Sequence, residues 1–363
     1  MMTTALMVSG SWPPQACGVG DYTERLCCEL EQNDIAVVRF ANDGLSRPYS
    51  AGAVRHVNEA DCDLVHIQYP TAGYGRSFTP SALPSQVRGK PVVVTLHEYS
   101  SFRWYRRPWF APFARRCAAR IFTTDEEREL FADRFPTRNG IDLTIEIASN
   151  IPVAAGATRR LGRVSYFGLI APNKGIEAFL DLCETACATP NDLTFELIGA
   201  VPDQHRRYAE AILQRASACK ARLSIDLSNE AVAKRLAAST FAYLPFPDGA
   251  SAKRGTLAAA IVNGLIVVTR HTPITPEWVR SATLEAKTPA EAMQVLTRLQ
   301  QDGPQREAAA KRSALAASRF RWDAIAQRHA DLYRNLLSSS ADSGRDAASA
   351  PTASAAYESR LAS

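Results

Sequence analysis

No run of 18 uncharged apolar residues occurs in the 363-residue chain, which excludes a membrane-spanning helix. The opening MMTTALMVSGSWPP lacks a basic n-region and has only a short apolar run, so no secretory signal is expected there. No Cys-x-x-Cys pair exists: Cys17, Cys27, Cys28, Cys62, Cys117, Cys183, Cys187 and Cys219 are scattered. Without a secretory signal they read as buried thiols in a reducing cytosol. Cys183 and Cys187 share a helix face but lack partner ligands, so no metal site is expected. A strong charge imbalance is also missing. Lys and Arg number 42 against 37 Asp and Glu, a formal net charge of +5. That surplus suits an anionic substrate or an anionic membrane surface. The basic residues form no extended patch, which disfavours a nucleic-acid module.

What is present is length and alternation. A chain of 363 residues exceeds what one core usually serves, so two domains are expected. Strand-like apolar runs at 5–8, 35–40, 64–67, 92–96, 121–123 and 143–147 alternate with helical stretches such as 21–31 and 126–135. A second series has strands at 164–168, 193–198, 223–226, 241–244 and 265–269, with helices at 175–187, 204–216, 230–238 and 289–301. Alternation of this kind predicts parallel sheets covered on both faces. The expected architecture is α/β, with two doubly wound, Rossmann-like domains facing across a cleft. Residues 1–152 form the first domain, 153–163 a small, polar, aperiodic linker, and 164–319 the second domain. The segment 320–337 places Ile325, His329, Leu332 and Leu336 on one helical face. Residues 338–363 are poor in large apolar side chains and are expected to be disordered.

The most informative stretch is DGASAKRGTLAAAIVNGLIVV, 248–268. An apolar strand runs into a loop carrying Asp248, Ser251, Lys253, Arg254, Gly255 and Thr256, followed by an Ala-rich helix and a second strand. In an open parallel sheet such a loop opens toward the ligand crevice. The helix start adds unpaired N–H groups and a positive dipole end. A phosphate or diphosphate is the ligand this chemistry fits; a surface loop with two solvated cations is the alternative. Lys174, ahead of the helix at 175–187, is a second diphosphate partner. Gly18 and Gly20 follow the first strand, where glycine permits close backbone approach and positive φ. Asp21, next to them, is equally able to cap helix N–H groups. His97 ends the apolar strand VVVTL, with Glu98 beside it; His66, Gln68 and Tyr69 end another strand. Asp61-Cys62-Asp63 matches a DxD metal pattern but precedes its strand, at the wrong sheet edge for a ligand.

Set in order, these pieces resemble a family 4, GT-B-fold glycosyltransferase over residues 5 to about 337. The likeness is carried by SWPPQACGVGDYTERL (11–26), DLVHIQYPTAGYG (63–75), VVVTLHEYS (92–100), IASNIP (147–152), FGLIAPNKGIEAFL (167–180), PFPDGASAKRGTLAAAIVNGLIVVT (245–269) and the terminal helix, which in that family crosses back onto the first domain. The resemblance implies a donor nucleotide sugar held by Gly18, Gly20, Gly168, Lys174, Gly199, Asp248, Ser251, Lys253, Arg254, Gly255 and Thr256. It implies acceptor contacts from Asp21, Gln68, Tyr69, Glu98 and Asn150. His97, Lys174 and Arg254 are the implied catalytic group, with no metal and no cofactor beyond the donor substrate. His97 would contact the donor sugar, Gly199 would lie near the nucleobase, and the transfer would retain anomeric configuration.

Two departures from the family pattern stand out. Leu169 occupies a position where the family often has arginine, so Lys253 or Arg254 is expected to supply that cation. The usual E-x7-E glutamates correspond to Ser251 and Ala259. One subgroup, with a DGxSxxRG loop, tolerates this. The departure leaves open a non-catalytic sugar-nucleotide binder, and the fold leaves open an epimerase or phosphorylase. Finally, SFRWYRRPWFAPFARRCAAR (101–120) holds six arginines, two tryptophans, a tyrosine, three phenylalanines and no acid. It reads either as a surface for anionic lipid or as an amphipathic helix packed inside the first domain. The expected activity is transfer of a sugar from a nucleotide-diphosphate sugar to a saccharide acceptor, lipid-linked, in bacterial cell-surface polysaccharide or glycoconjugate synthesis. The expected place is the cytoplasm, at the inner face of the cytoplasmic membrane.

Overall fold

A computed structural model describes residues 2–15, 17–136 and 140–342. The chain divides into two compact units. The first takes residues up to Glu146 together with those from Trp322 onward; the second is Ile147–Arg321. The expected tail falls mostly on 343–363, outside the described residues.

The first unit is built on a six-stranded sheet of β1 (Thr3–Val8), β2 (Ile35–Phe40), β3 (Leu64–Tyr69), β4 (Val92–Leu96), β5 (Ala119–Phe122) and β6 (Ile141–Thr144), in the order β2-β1-β3-β4-β5-β6. Every pairing is parallel. All residues of β3, β4 and β5 are buried, which is why their sequences are near-continuous apolar runs rather than alternating ones. The helix Trp322–Asp342 belongs to this unit. Trp322 packs on Tyr22 with ring centroids 5.2 Å apart, and Arg328 pairs with Glu146 at 3.1 Å. The helix runs five residues beyond the expected end at Leu337, and in that last stretch the Ser338 and Ser339 hydroxyls donate to the Asn335 carbonyl.

The second unit repeats the architecture with β7 (Arg160–Leu169), β8 (Thr194–Ala200), β9 (Arg222–Ile225), β10 (Ser239–Leu244), β11 (Ile266–Thr269) and β12 (Leu284–Glu285), in the order β12-β11-β10-β7-β8-β9. All pairings are again parallel. β7 begins at Arg160, so the last residues of the expected linker are strand: Arg160 N–H bonds the Ala238 carbonyl and its own carbonyl accepts from Thr240 Oγ1. Arg160 and Leu161 are exposed there, which hid the strand from an apolar pattern. Two-residue β12 is too short to leave one. The thiols are not uniformly buried: Cys27, Cys117, Cys183 and Cys219 are, whereas Cys187 is exposed.

In each sheet the chain builds outward on one side of its first strand and then crosses to the other. The crossing falls between β1 and β3 in the first sheet and between β7 and β10 in the second. At such a switch point the loops leaving adjacent strands diverge and open a crevice at the strands' carboxyl ends.

Candidate active site

The crevice of the second unit is a cavity of about 610 Å³. β7 contributes Gly168 and Leu169 from its carboxyl end and Lys174 from the loop beyond; the loop after β10 contributes Phe246, Lys253, Arg254, Gly255 and Thr256. Three cations line this space, and no acid does among the described residues.

Local sequence explains how those cations are presented. Gly175 has φ +78°, and a Cβ there would lie 2.0 Å from the Pro245 carbonyl oxygen. Only glycine lets the Lys174 loop lie against the loop leaving β10. The Tyr166 hydroxyl donates to the Lys174 carbonyl at 3.0 Å and fixes the same loop from below. Gly249, at φ +94°, sits where a Cβ would be 2.3 Å from Thr272 Oγ1, and Ala250 N–H bonds the Arg270 carbonyl at 2.9 Å. The chain then turns through an Arg254 N–H bond to the Ser251 carbonyl (3.1 Å) into the helix Gly255–Val262, whose N-cap is Arg254. The first N–H groups of that helix have no intrahelical acceptor and carry its positive end. Arg254 is ion-paired with Asp248 and its guanidinium lies 4.9 Å from the Phe246 ring centroid. It is therefore pre-oriented, whereas Lys174 is exposed to solvent.

Several residues sit differently from expectation. Gly18 and Gly20 lie inside the first turn of the helix Gly18–Glu31 and neither has positive φ. Gly20 is needed for packing, since a Cβ would lie 2.9 Å from the Ser11 carbonyl oxygen. Asp21 is exposed in that turn and makes no side-chain cap, the cap position being Cys17. Gly199 serves the sheet: a Cβ would be 2.3 Å from the Gly168 carbonyl oxygen of the neighbouring strand. Asn150, expected on the acceptor side, belongs to the second unit and lines the cationic cavity. Tyr69 is 2 % exposed and packed among Tyr74, Phe102, Phe110 and Phe113, so its ring serves the core. Glu98 is exposed at the end of β4. Ser251 is half-buried, and Asp248 is exposed apart from its ion pair.

His97 is 3 % exposed. Its Nε2 bonds Gln68 Oε1 at 2.9 Å, while the Gln68 amide reaches His66 Nε2 (3.3 Å) and His66 bonds Thr95 and Tyr333. With Gln68 Oε1 accepting, Nε2 carries the proton. Burial, reinforced by the His329 charge, lowers the His97 pKa to about 3. Burial likewise lowers His329 to about 4 and holds His66 well below its usual value. The three rings are neutral across the physiological range. His97 is thus part of a buried network that reaches the terminal helix through Tyr333, a connection no strand-end motif could disclose.

The 101–120 segment divides between its two readings. Phe110, Phe113 and Arg120 are fully buried, with Arg120 ion-paired to Asp142 and bonded to the Cys117 carbonyl at 3.1 Å. Trp104 is 81 % exposed, and Arg103, Tyr105, Arg115 and Arg116 are exposed as well. Asp63 accepts from Thr4 N–H at 2.7 Å at the amino end of the first sheet, the edge opposite that sheet's crevice. Among the described residues no cluster of three His, Cys, Asp or Glu side chains is placed to hold a metal, and no helix is long and apolar enough to cross a membrane.

Two doubly wound parallel units, each with a crevice at its switch point, define the GT-B fold. Solved structures agree over nearly the whole chain. HepE from Anabaena, solved in complex with UDP and glucose, aligns with TM-score 0.60 and 17% identity, covering 92% of this chain and 100% of its own. Sucrose-phosphate synthase from Thermosynechococcus elongatus gives 0.58 and 16%, covering 93% and 100%. AviGT4, a glycosyltransferase involved in avilamycin A biosynthesis, gives 0.55 and 16%, covering 93% and 98%. Residues 39–144 match the model of Glycosyltransferase Family 4. No curated protein matches the chain.

Proposed function

We propose that this protein is a retaining, metal-independent glycosyltransferase that moves a sugar from a nucleotide-diphosphate sugar to a saccharide acceptor. The reading rests on one observation above all: the switch-point cavity of the second unit is lined by Lys174, Lys253 and Arg254 with a helix N-terminus and, among the described residues, no acid. A nucleoside diphosphate is the leaving group of such a transfer. As the bond from anomeric carbon to phosphate oxygen breaks, negative charge grows on that oxygen. Fixed cations stabilise this growth more than they stabilise the intact donor, which is the condition for catalysis. The acceptor oxygen forms the new bond to the anomeric carbon, and its proton passes to the departing diphosphate on the same face. The Family 4 match and the UDP complex of HepE support a nucleotide-sugar donor.

The acceptor in this reading is lipid-linked and met at the inner face of the cytoplasmic membrane, in synthesis of a bacterial cell-surface glycan. Exposed Arg103, Trp104, Tyr105, Arg115 and Arg116 offer rings and positive charge suited to an anionic headgroup layer.

A second reading, a sugar-nucleotide binder without transfer activity, is favoured by Ala259. It stands where the family carries a glutamate and is 0 % exposed inside the helix. One experiment separates the two. A thermal-shift panel of nucleoside diphosphates and nucleotide sugars finds the donor, because a ligand at a hundredfold excess over Kd adds about 2.7 kcal/mol of stability. Release of the diphosphate from that donor, with acceptor or with water, then marks the transferase. Binding without release marks the binder, and no binding by any diphosphate overturns both.

A further inference from the structure

The amino edge of the second sheet, opposite its crevice, gathers positive charge of its own. Arg160, Thr194 and Arg222 are the first residues of β7, β8 and β9. With Arg163, Glu196 and Lys220 they line a cavity of about 350 Å³, inside the about 300–1,000 Å³ typical of small-ligand sites. Arg160 and Leu169 close opposite ends of β7, so at about 3.3 Å per residue this cavity lies about 30 Å from the crevice.

Four cations line the cavity against one carboxylate among the described residues, and that carboxylate is already engaged. Glu196 is 1 % exposed; its Oε1 accepts from Ser224 Oγ at 2.7 Å and from Arg235 Nε. Arg163 is 9 % exposed and meets Glu196 Oε2 at 3.9 Å, too far for a hydrogen bond. Among the described residues its guanidinium makes no hydrogen bond, and Arg160, Lys220 and Arg222 make no ion pair. Burial, with the charges of Arg160, Arg235 and Arg222, pushes the Arg163 pKa down against the pull of Glu196. A recessed guanidinium without an acceptor, among further cations, is costly to keep. An anion in the cavity removes that cost. Lys220 is also held where lysine is unfavourable. It follows the helix Arg206–Ala218 at φ +56°, the left-handed position that glycine most often fills at a helix end.

The ligand class follows from this donor set. Guanidinium forks bind phosphoryl oxygens two at a time. A bilayer or a duplex would meet the exposed Arg160, Lys220 and Arg222 but not the recessed Arg163, which a phosphoryl group on a small molecule can reach. Leu193 and Phe195 add an apolar wall for the rest of such a molecule. We propose that this cavity binds a phosphorylated small molecule, with its phosphoryl group on Arg163, Arg160 and Arg222, at a site separate from the donor crevice. The site stands independently of the glycosyltransferase reading.

Isothermal titration calorimetry on the full chain tests it, with orthophosphate, pyrophosphate and glucose 6-phosphate as probes. The salt is about 0.15 M KCl, where charges on an open surface are largely screened. The background is Lys174→Ala/Arg254→Ala, which weakens anion binding in the donor crevice. The expected result is saturable binding of at least one probe, weakened about tenfold or more by adding Arg160→Ala/Arg222→Ala and by a similar factor in Arg163→Met. Arg160 and Arg222 are exposed, so their double variant decides the matter if Arg163→Met does not fold. Equal affinity for the inorganic ions makes a free phosphate the ligand, and preference for glucose 6-phosphate makes it a phosphate ester; both uphold the proposal. No binding of any probe in that background, or binding unmoved by Arg160→Ala/Arg222→Ala, overturns it. Capture of anionic vesicles through these arginines, with no small phosphate bound, overturns it as well. The UDP and GDP shifts of the wild type report on the donor reading separately, so the two failures are distinguishable.

Discussion

The two units share one architecture, a six-stranded doubly wound parallel sheet, with different strand orders, and put charge to opposite uses. In the second unit the charged groups of the crevice face solvent at the carboxyl ends of β7 and β10, with Lys174 exposed and Arg254 held by Asp248 and Phe246. In the first unit three histidines held between the sheet and the terminal helix are buried and neutral: His66, His97 and His329 are 0 %, 3 % and 0 % exposed. A parallel sheet thus fixes where a ligand can enter but not what will attract it. Lys174, Lys253 and Arg254 make one crevice positive. In the other unit a desolvated, hydrogen-bonded network ties the sheet to the terminal helix and adds no net charge.

The widest break between the units should come with acid. Each buried histidine has a folded pKa below the unfolded value near 6.5. The unfolded chain then binds more protons, so this stability is complete above about pH 6.5 and is lost as pH falls toward about 4. The loss approaches about 1.4 kcal/mol per pH unit for each histidine. Urea unfolding across that range should show it, and His329→Phe should remove about one proton from the slope. A flat profile would mean the rings are solvated.

Next is the family glutamate. Ala259→Glu places a carboxylate where exposure is 0 %, and an uncompensated buried charge costs about 3–5 kcal/mol. The expected result is a lower denaturation midpoint and no gain in activity. A gain would mean this helix start differs in the liganded protein.

The cations come third. Lys174→Ala and Arg254→Ala should each reduce kcat/KM by about 10²-fold, the usual cost of removing one donor to a developing anion. Full activity in either variant would cancel the charge contrast between the units. Gly175→Ala should have a smaller effect: with φ +78° and Pro245 in the way, strain of about 1–3 kcal/mol should displace the Lys174 loop and raise the donor KM more than it lowers kcat. The smallest effect on stability belongs to Trp104→Ala, within about 0.5 kcal/mol because the side chain is surface-exposed. Its readout is retention on anionic vesicles, which should fall if the aromatic-basic face meets lipid.

Apolar runs placed 11 of the strands, because strands buried on both faces must be almost wholly apolar. The loop that brings Lys253, Arg254, Gly255 and Thr256 to the cavity was legible for the same reason: a polar, basic insert between a buried strand and a buried helix has few places to go but the sheet edge. Asn150 was misplaced because its segment is polar and aperiodic, and membership of a unit is set by contacts such as Asn229 to the Asn150 carbonyl (3.5 Å) that leave no local trace.

The amino-acid sequence by itself determined the alternation of strand and helix, the two-unit α/β fold and the basic loop after β10, since each follows from short-range periodicity and composition. Only the tertiary structure decided that Tyr69 is core and that Gly175 brings Lys174 beside that loop. It alone joined His97 through Gln68 and His66 to Tyr333. Those outcomes depend on contacts between residues far apart in the chain, and a hydrogen bond spanning 267 positions, as between His66 and Tyr333, has no signature in the residues that flank either end.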